Sequence, residues 1–337
     1  MVRGAFATLA ALAFCSALGC SDASTRSERT PTWTVSVQLA VEPALSVMSV
    51  NARIPGDSGE RSWAARLPRL IGMIQRHQPH AIAFQELERK NGHDTLADLS
   101  ARLPEYWRYG VDRGDGEIIA LFMRRDRLTP LEFSFRNVSN SERDNSCSWT
   151  ADEDPRNRPI QYVLARDVAT NRERYFYNTH YPSRNSCERH GMATIVASYI
   201  NGRGNASLPV VLLGDLNDGV EPDGRLNGSF ERLLNATGLI SAYFATDPRN
   251  SSSAFKTENG PFDTIARTGR MIDHVLVTPW DTAVTSSAVD RTLFTSPGNA
   301  PVACDVVSSG TCPDGSPASG LALYSDHWAV WARIGAL

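Results

Sequence analysis

Lysine is nearly missing from this chain: Lys90 and Lys256 are the only two, so arginine carries almost all of the positive charge. There is no basic surplus either, since 34 Lys+Arg stand against 37 Asp+Glu and the formal net charge is -3. A protein built on non-specific nucleic-acid affinity usually shows a basic domain or stripe, and this balance argues against one. A local arginine groove is still allowed. The paired Cys-x-x-Cys spacing common in zinc sites is also missing. No repeat, heptad or internal linker divides residues 44–335, which excludes solenoids and coiled coils and leaves one domain from 44 to 337. The apolar stretch Ala5 to Leu18 is too short to cross a bilayer as an ordinary helix.

With Arg3 before it, that stretch reads as an export leader covering residues 1–19. Its end, Ala17-Leu18-Gly19-Cys20, resembles a bacterial lipoprotein box in which Cys20 becomes the acylated first residue. Leu18 sits one position later than that pattern prefers, and an ordinary cleaved signal peptide is the alternative. Residues 20–43 then form the lipidated cysteine and a flexible tether, since Ser21 to Thr32 is rich in Ser, Thr and Arg. The expected location is outside the inner membrane: exported and anchored, on the periplasmic side or the cell surface. Of six cysteines, Cys15 leaves with the leader and Cys20 takes the lipid. Cys147, Cys187, Cys304 and Cys312 remain and allow three disulfide pairings. Cys304 with Cys312 is the simplest, which leaves Cys147 with Cys187.

The rest of the chain alternates strand and helix patterns. Strands are expected at 45–50, 80–85, 117–124, 160–166, 173–179, 209–214, 272–278 and 327–334. Helices are expected at 62–77, 93–103, 188–201 and 226–238. Within the first helix Trp63, Leu67, Leu70, Ile71 and Ile74 recur at three-to-four spacing, and Gly238 is placed to stop the last. Two aperiodic stretches, 137–158 and 296–320, read as long surface loops. At 42% hydrophobic, the chain can bury one substantial core, and mixed elements at this length suit an α/β layered sandwich.

Polar residues stand where these apolar strands run out. Asn51 follows Leu45 to Val50, and Gln85-Glu86 follows Ala81 to Phe84. Asn178-Thr179-His180 follows Tyr175-Phe176-Tyr177, and Asp215-Leu216-Asn217 follows Pro209 to Gly214. Ser325-Asp326-His327 precedes the last strand. Strand ends hold such groups rigidly and can bring them into one cleft.

In order, Val47-Met48-Ser49-Val50-Asn51, Phe84-Gln85-Glu86, Gly116-Glu117, Asn178-Thr179-His180, Gly214-Asp215-Leu216-Asn217, Ile272-Asp273-His274-Val275 and Ser325-Asp326-His327 resemble the endonuclease/exonuclease/phosphatase superfamily. The resemblance covers roughly residues 44 to 335. It implies a four-layered α-β-β-α sandwich, two facing mixed sheets covered by helices, with the site at one edge. It implies a metal-dependent phosphoric ester hydrolase.

Hard Mg²⁺, with Mn²⁺ as the alternative, prefers oxygen ligands and keeps several waters. Glu86 is the first candidate ligand, with Asn51 beside it and Asp326 as a further oxygen. By resemblance Asp215 orients the attacking water and Asn217 donates to a phosphate oxygen. Resemblance also pairs His327 with Asp273, and His180 with Glu117. Two schemes stay open. In one, His327 is general base and His180 general acid; in the other, His327 stabilises phosphate charge and Asp215 serves the water. His77, His80, His93, His190 and His274 read as structural or exposed, while Arg158 and Arg189 are weaker candidates for a phosphate fork.

Leu87-Glu88 stands where deoxyribonuclease I-like members tend to carry an arginine, which weakens duplex-DNA binding. The expected activity is phosphodiester hydrolysis by a monomer, with extracellular nucleic acid as the leading substrate. A sphingomyelinase-type phospholipid phosphodiesterase, a sugar or inositol phosphate phosphatase, and a non-catalytic surface binding module are the rivals.

Overall fold

A computed structural model of the chain describes residues 43–143, 156–221, 225–243, 270–280, 282–290, 293–295, 299, 301–302, 321–322 and 325–335. The leader, the Cys20 box and the tether expected in residues 1–43 lie outside the described residues, Pro43 excepted; so do Cys147, Cys304 and Cys312. Cys187 is disulfide-bonded, and the cysteines it was expected to choose among lie outside the described residues.

The chain runs β1 (Leu45–Asn51), α1 (Trp63–His77), β2 (Ala81–Lys90), β3 (His93–Asp94), α2 (Thr95–Arg102), β4 (Tyr106–Asp112), β5 (Glu117–Arg124), β6 (Leu128–Val138) and α3 (Asn140–Arg143). It continues with β7 (Arg158–Asp167), β8 (Arg172–His180), α4 (Ser186–Asn201), β9 (Val210–Val220), α5 (Gly228–Thr237), β10 (Ile240–Ser241), β11 (Met271–Val277) and β12 (Ala283–Asp290). The short β13 (Leu293–Thr295), β14 (Pro301–Val302) and β15 (Leu321–Ala322) precede β16 (Ala329–Gly335).

Two mixed sheets flanked by helices form the body. One has the order β12-β16-β1-β2-β5-β4, with β3 beside β2, and the other β10-β11-β9-β8-β7-β6. Strands β13 to β15 make a small separate sheet. Alternation divides the first sheet's side chains between two cores. Leu45 and Val47 of β1, Ala81 and Ala83 of β2, and Leu121 and Met123 of β5 face the core shared with the second sheet. Met48, Val50, Ile82, Phe84, Ile118 and Phe122 face α1 and α2 instead. Burial on both faces is why these strands read as near-continuous apolar runs.

The expected helices form with small shifts. Ser62 caps α1 by accepting from the Ala65 N–H, and Asp94 caps α2 in the same way from Ala97, each satisfying an otherwise orphan donor. Gly238 takes the left-handed conformation at φ 69° and ends α5 as expected. Strands β4, β6 and β12 were not expected. Their residues are largely exposed or half-buried, so the apolar runs that mark buried strands are missing. Residues 137–143 of the loop expected over 137–158 belong instead to β6 and α3, and 144–155 lie outside the described residues.

Asn178 ties the two sheets together. From β8 its Nδ2 donates to the carbonyls of Phe84 and Ala120, both at 3.0 Å, and its Oδ1 accepts from Gln85 Nε2 at 2.8 Å. Asn178→Leu keeps the branched shape but leaves two carbonyls and an amide buried without this partner. The expected loss in urea denaturation is on the order of 3 kcal/mol.

Candidate active site

Parallel pairing puts the polar strand ends on one side. In β1 and β2 Asn51 lies opposite Gln85, and in β8 and β9 His180 lies opposite Asp215. Antiparallel β11 sets Asp273 opposite Asp215 from the other side. At the site the sheets meet through the Asn51 amide, whose Nδ2 donates to Glu86 Oε1 at 2.9 Å and to Asp215 Oδ2 at 2.9 Å.

Glu86 reaches this point through backbone distortion. The β2–β5 register shifts between Phe84 and Leu87, and Glu86 takes φ 57°. A bulge re-aims a side chain in this way, and strained residues of this kind cluster at functional sites. The loop after β1 holds the other carboxylate oxygen, because Ile54 N–H donates to Glu86 Oε2 at 3.3 Å. Buried Arg66 of α1 fixes that loop through the carbonyls of Ala52, Arg53 and Ile54.

His180 sits between three carboxylates. Its Nε2 is 3.5 Å from Asp215 Oδ2 and 3.9 Å from Glu86 Oε1, and its Nδ1 is 3.4 Å from Glu117 Oε1. Arg158 Nη1 also approaches Nδ1, at 3.3 Å. Arg113 holds Glu117 Oε2 at 2.6 Å. Burial opposes the charge on Glu117, but His180, Arg113 and Arg158 outweigh it and hold its pKa below the usual range.

Across the cleft His327 Nδ1 lies 2.8 Å from Asp273 Oδ2 and 3.9 Å from Asp215 Oδ2. Ser325 Oγ sets the approach, donating to the Asn51 carbonyl at 2.7 Å and accepting from His327 N–H at 3.2 Å. Burial alone lowers an imidazole pKa, but Asp273 and Asp215 overcome it and raise His327 well above its ordinary value. Burial, then the facing Asp273, raises Asp215. A histidine pKa raised by folding favours the charged form. That stability is fully present below the unfolded pKa of about 6.5 and is lost as pH rises through the raised value. In metal-free protein His327 should therefore show imidazolium ¹⁵N shifts at about pH 7.5, where an ordinary histidine is mostly neutral. Asp273→Asn should lower that titration.

The donor set suits a hard cation. Glu86, His180 and Asp215 each offer an atom within 4.8 Å of the others, and Asp215, Asp273 and His327 do likewise. Two buried carboxylates facing each other, Asp215 and Asp273, are costly without positive charge between or beside them. A divalent ion near Glu86 and Asp215 fits that need. Asn51, expected as a ligand, turns its Nδ2 to both carboxylates and its Oδ1 to the Arg53 N–H at 2.9 Å, so here it positions the carboxylates. Asp326 is placed differently from the sequence expectation. It pairs with Arg53 of the β1 loop and joins neither group among the described residues.

The model of the endonuclease/exonuclease/phosphatase family matches residues 49–327. The chain belongs to this family. Family members are phosphoester hydrolases, and the gathered residues are those expected of such a site. Mannosyl-6-phosphatase of Bacteroides thetaiotaomicron has a similar structure, with a TM-score of 0.63 at 22% identity over 86% of this chain and 99% of its own. The human nocturnin catalytic domain with bound sulfate gives 0.61 at 16% identity, over 88% of this chain and 96% of that one. D. rerio TDP2 complexed with a single-strand DNA product gives 0.58 at 16% identity, over 87% and 99%. No curated protein matches the chain.

Within the family site, Asn51, Glu86, Glu117, His180, Asp215, Asp273 and His327 come together. Asn217 is adjacent but turned: at φ 47° its N–H donates to Asp215 Oδ1 at 2.8 Å and its Nδ2 to the Tyr181 carbonyl at 2.9 Å. That leaves one amide hydrogen for a ligand. Arg158 packs on His180, while Arg189 binds the Ser183 carbonyl at 3.0 Å and faces Asp218. His274 stacks on Phe230 at 4.2 Å and bonds the Asp218 carbonyl, so it is structural. Sequence reading missed Arg53, Arg66 and Arg113. Arg113 and Arg53 pair directly with Glu117 and Asp326, Arg66 acts through the loop after β1, and no periodic pattern marks them.

Proposed function

We propose that the protein is a Mg²⁺-dependent phosphodiesterase that hydrolyses nucleic acid outside the inner membrane. The observation that carries this reading is the Asn51 amide joined to both Glu86 and Asp215, flanked by two histidines that each have a carboxylate on Nδ1. A bound Mg²⁺ would be held by Glu86 with Asp215 beside it, both positioned by the Asn51 amide, and would neutralise phosphate charge. Asp273 binds Nδ1 of His327 and leaves Nε2 to meet a phosphate oxygen. Asp215 orients the attacking water, and His180 Nε2 supplies a proton towards the leaving oxygen. Glu117, held by Arg113, fixes the His180 ring.

A sugar-phosphate monoester is the second reading. Glu88 is buried and pairs with Lys90 at 3.0 Å, where deoxyribonuclease I-like relatives tend to present an arginine. The likeness to a mannosyl-6-phosphatase agrees with it. The test is purified protein with Mg²⁺ against plasmid DNA, RNA, sphingomyelin, and sugar and inositol phosphates. Cleavage of DNA or RNA is expected; turnover of monoesters alone would replace the first reading with the second. Anchoring through Cys20 belongs to the same proposal and rests on Ala17-Leu18-Gly19-Cys20. A fatty-acid analogue should label wild type and not Cys20→Ala, and an unlabelled, soluble wild type would remove the anchor.

A further inference from the structure

Strand β6 is the last strand of its sheet among the described residues, and it is unusual in being open on both faces. From Leu131 to Asn137 every residue but half-buried Ser134 is exposed. Leu131, Phe133 and Phe135 are 43%, 36% and 51% exposed. Phe133 stacks with Phe135 at 6.1 Å and meets Tyr109 of the edge strand β4 at 5.1 Å. The core between the sheets therefore opens to solvent at this side.

Edge strands present unpaired backbone donors and acceptors, and proteins blunt them with charge, proline or bulges when pairing is unwanted. Here Pro130 and the bulge between Pro130 and Glu132 lie at one end only. From Glu132 to Val138 the strand is regular against β7. Its sequence is also self-complementary. With two copies antiparallel about a two-fold axis at Ser134, Glu132 of each copy faces Arg136 of the other. Phe133 of each then faces Phe135 of the other. The charged pairs fall on the face where Glu132 bonds Tyr162, Ser134 meets Tyr199 at 3.2 Å, and Arg136 already pairs with Glu142 of α3, so Arg136 would be shared between Glu142 and the other copy's Glu132. The aromatic pairs fall on the open core side. Opposite charges and aromatic pairs directly across strands are the favourable cross-strand combinations.

We propose that the protein self-associates through β6, as an antiparallel dimer centred on Ser134 that joins two six-stranded sheets into one. This departs from the monomer expected from the sequence. A symmetric two-fold contact is also the commonest homo-oligomer geometry. The sites remain outside the contact, because β6 carries none of the residues placed there.

Sedimentation velocity of purified full-length protein over the micromolar range should show reversible dimerisation. Glu132→Arg and Arg136→Glu, each placing like charges opposite, should weaken the dimer at least about tenfold. The double reversal should restore it, which a general surface effect does not do. Ser134→Cys should form a disulfide-linked dimer under mild oxidation, whereas Asn137→Cys, displaced from the axis, should not. Circular dichroism checks that each variant folds. A monomer at every concentration, with no Ser134→Cys cross-link, would overturn the proposal. So would a dimer indifferent to both charge reversals. Coverage of β6 by a segment of the same chain would give the first of these results.

Discussion

Replacing His327 with alanine should lower turnover at least about a hundredfold, the usual scale for a lost acid–base group or charge-stabilising donor. His327 is held from three directions: Asp273 at Nδ1, Ser325 at its backbone N–H, and the start of β16 behind it. The substitution also removes the positive charge beside Asp215 that holds its pKa down, so Asp215 should become easier to protonate. The acid limb of the pH–rate profile of His327→Ala should accordingly move to higher pH. Asp273→Asn should cost less than His327→Ala. The amide can still accept from Nδ1, so the ring keeps its place while losing its counter-charge. Wild-type turnover in His327→Ala, on a substrate the wild type hydrolyses, would remove the catalytic assignment.

The parts of this site visible in the sequence are those that buried strands mark. Asn51, His180 and Asp215 each follow an apolar run, and parallel pairing brings such ends together, so reading the runs found the cleft. Glu86 was found by the same rule although it breaks the geometry behind it: the bulge and positive φ that aim it leave no trace in residue type. Asp326 shows the limit. It stands beside His327 in sequence, yet Arg53 claims its carboxylate from a loop whose path depends on Arg66. Arg113 was equally hidden, because its partner Glu117 lies across a turn that no periodicity predicts. Strands β4, β6 and β12 escaped for the opposite reason to β1. Their side chains are exposed or half-buried, so the continuous apolar runs that mark two-sided burial are missing there. Sequence patterns register burial. These arginines and the exposed edge act by charge and position, which leave no such pattern.

The metal requirement should be as severe as the loss of His327. Activity is expected to vanish in excess chelator and return with Mg²⁺ or Mn²⁺. Glu86→Ala should reduce it at least about a hundredfold, the scale of losing a charge-stabilising group. The fold should survive that change for reasons in the structure. Glu86 is half-buried, its Ile54 contact is exposed, and Asn51 keeps Asp215 as a partner. Alanine at φ 57° is no more strained than the glutamate already there. Glu86→Gln makes a sharper test, because it preserves shape and one acceptor while removing the charge that a hard cation needs. A ligand that binds only the folded state raises the melting temperature. Mg²⁺ should therefore raise the wild-type Tm, and should barely move that of Glu86→Gln. If carboxamide and carboxylate respond alike, Glu86 is not the ligand, and Asp215 with Asp273 becomes the place to look. Full turnover by a preparation shown to be metal-free would sink the metal-dependent mechanism altogether.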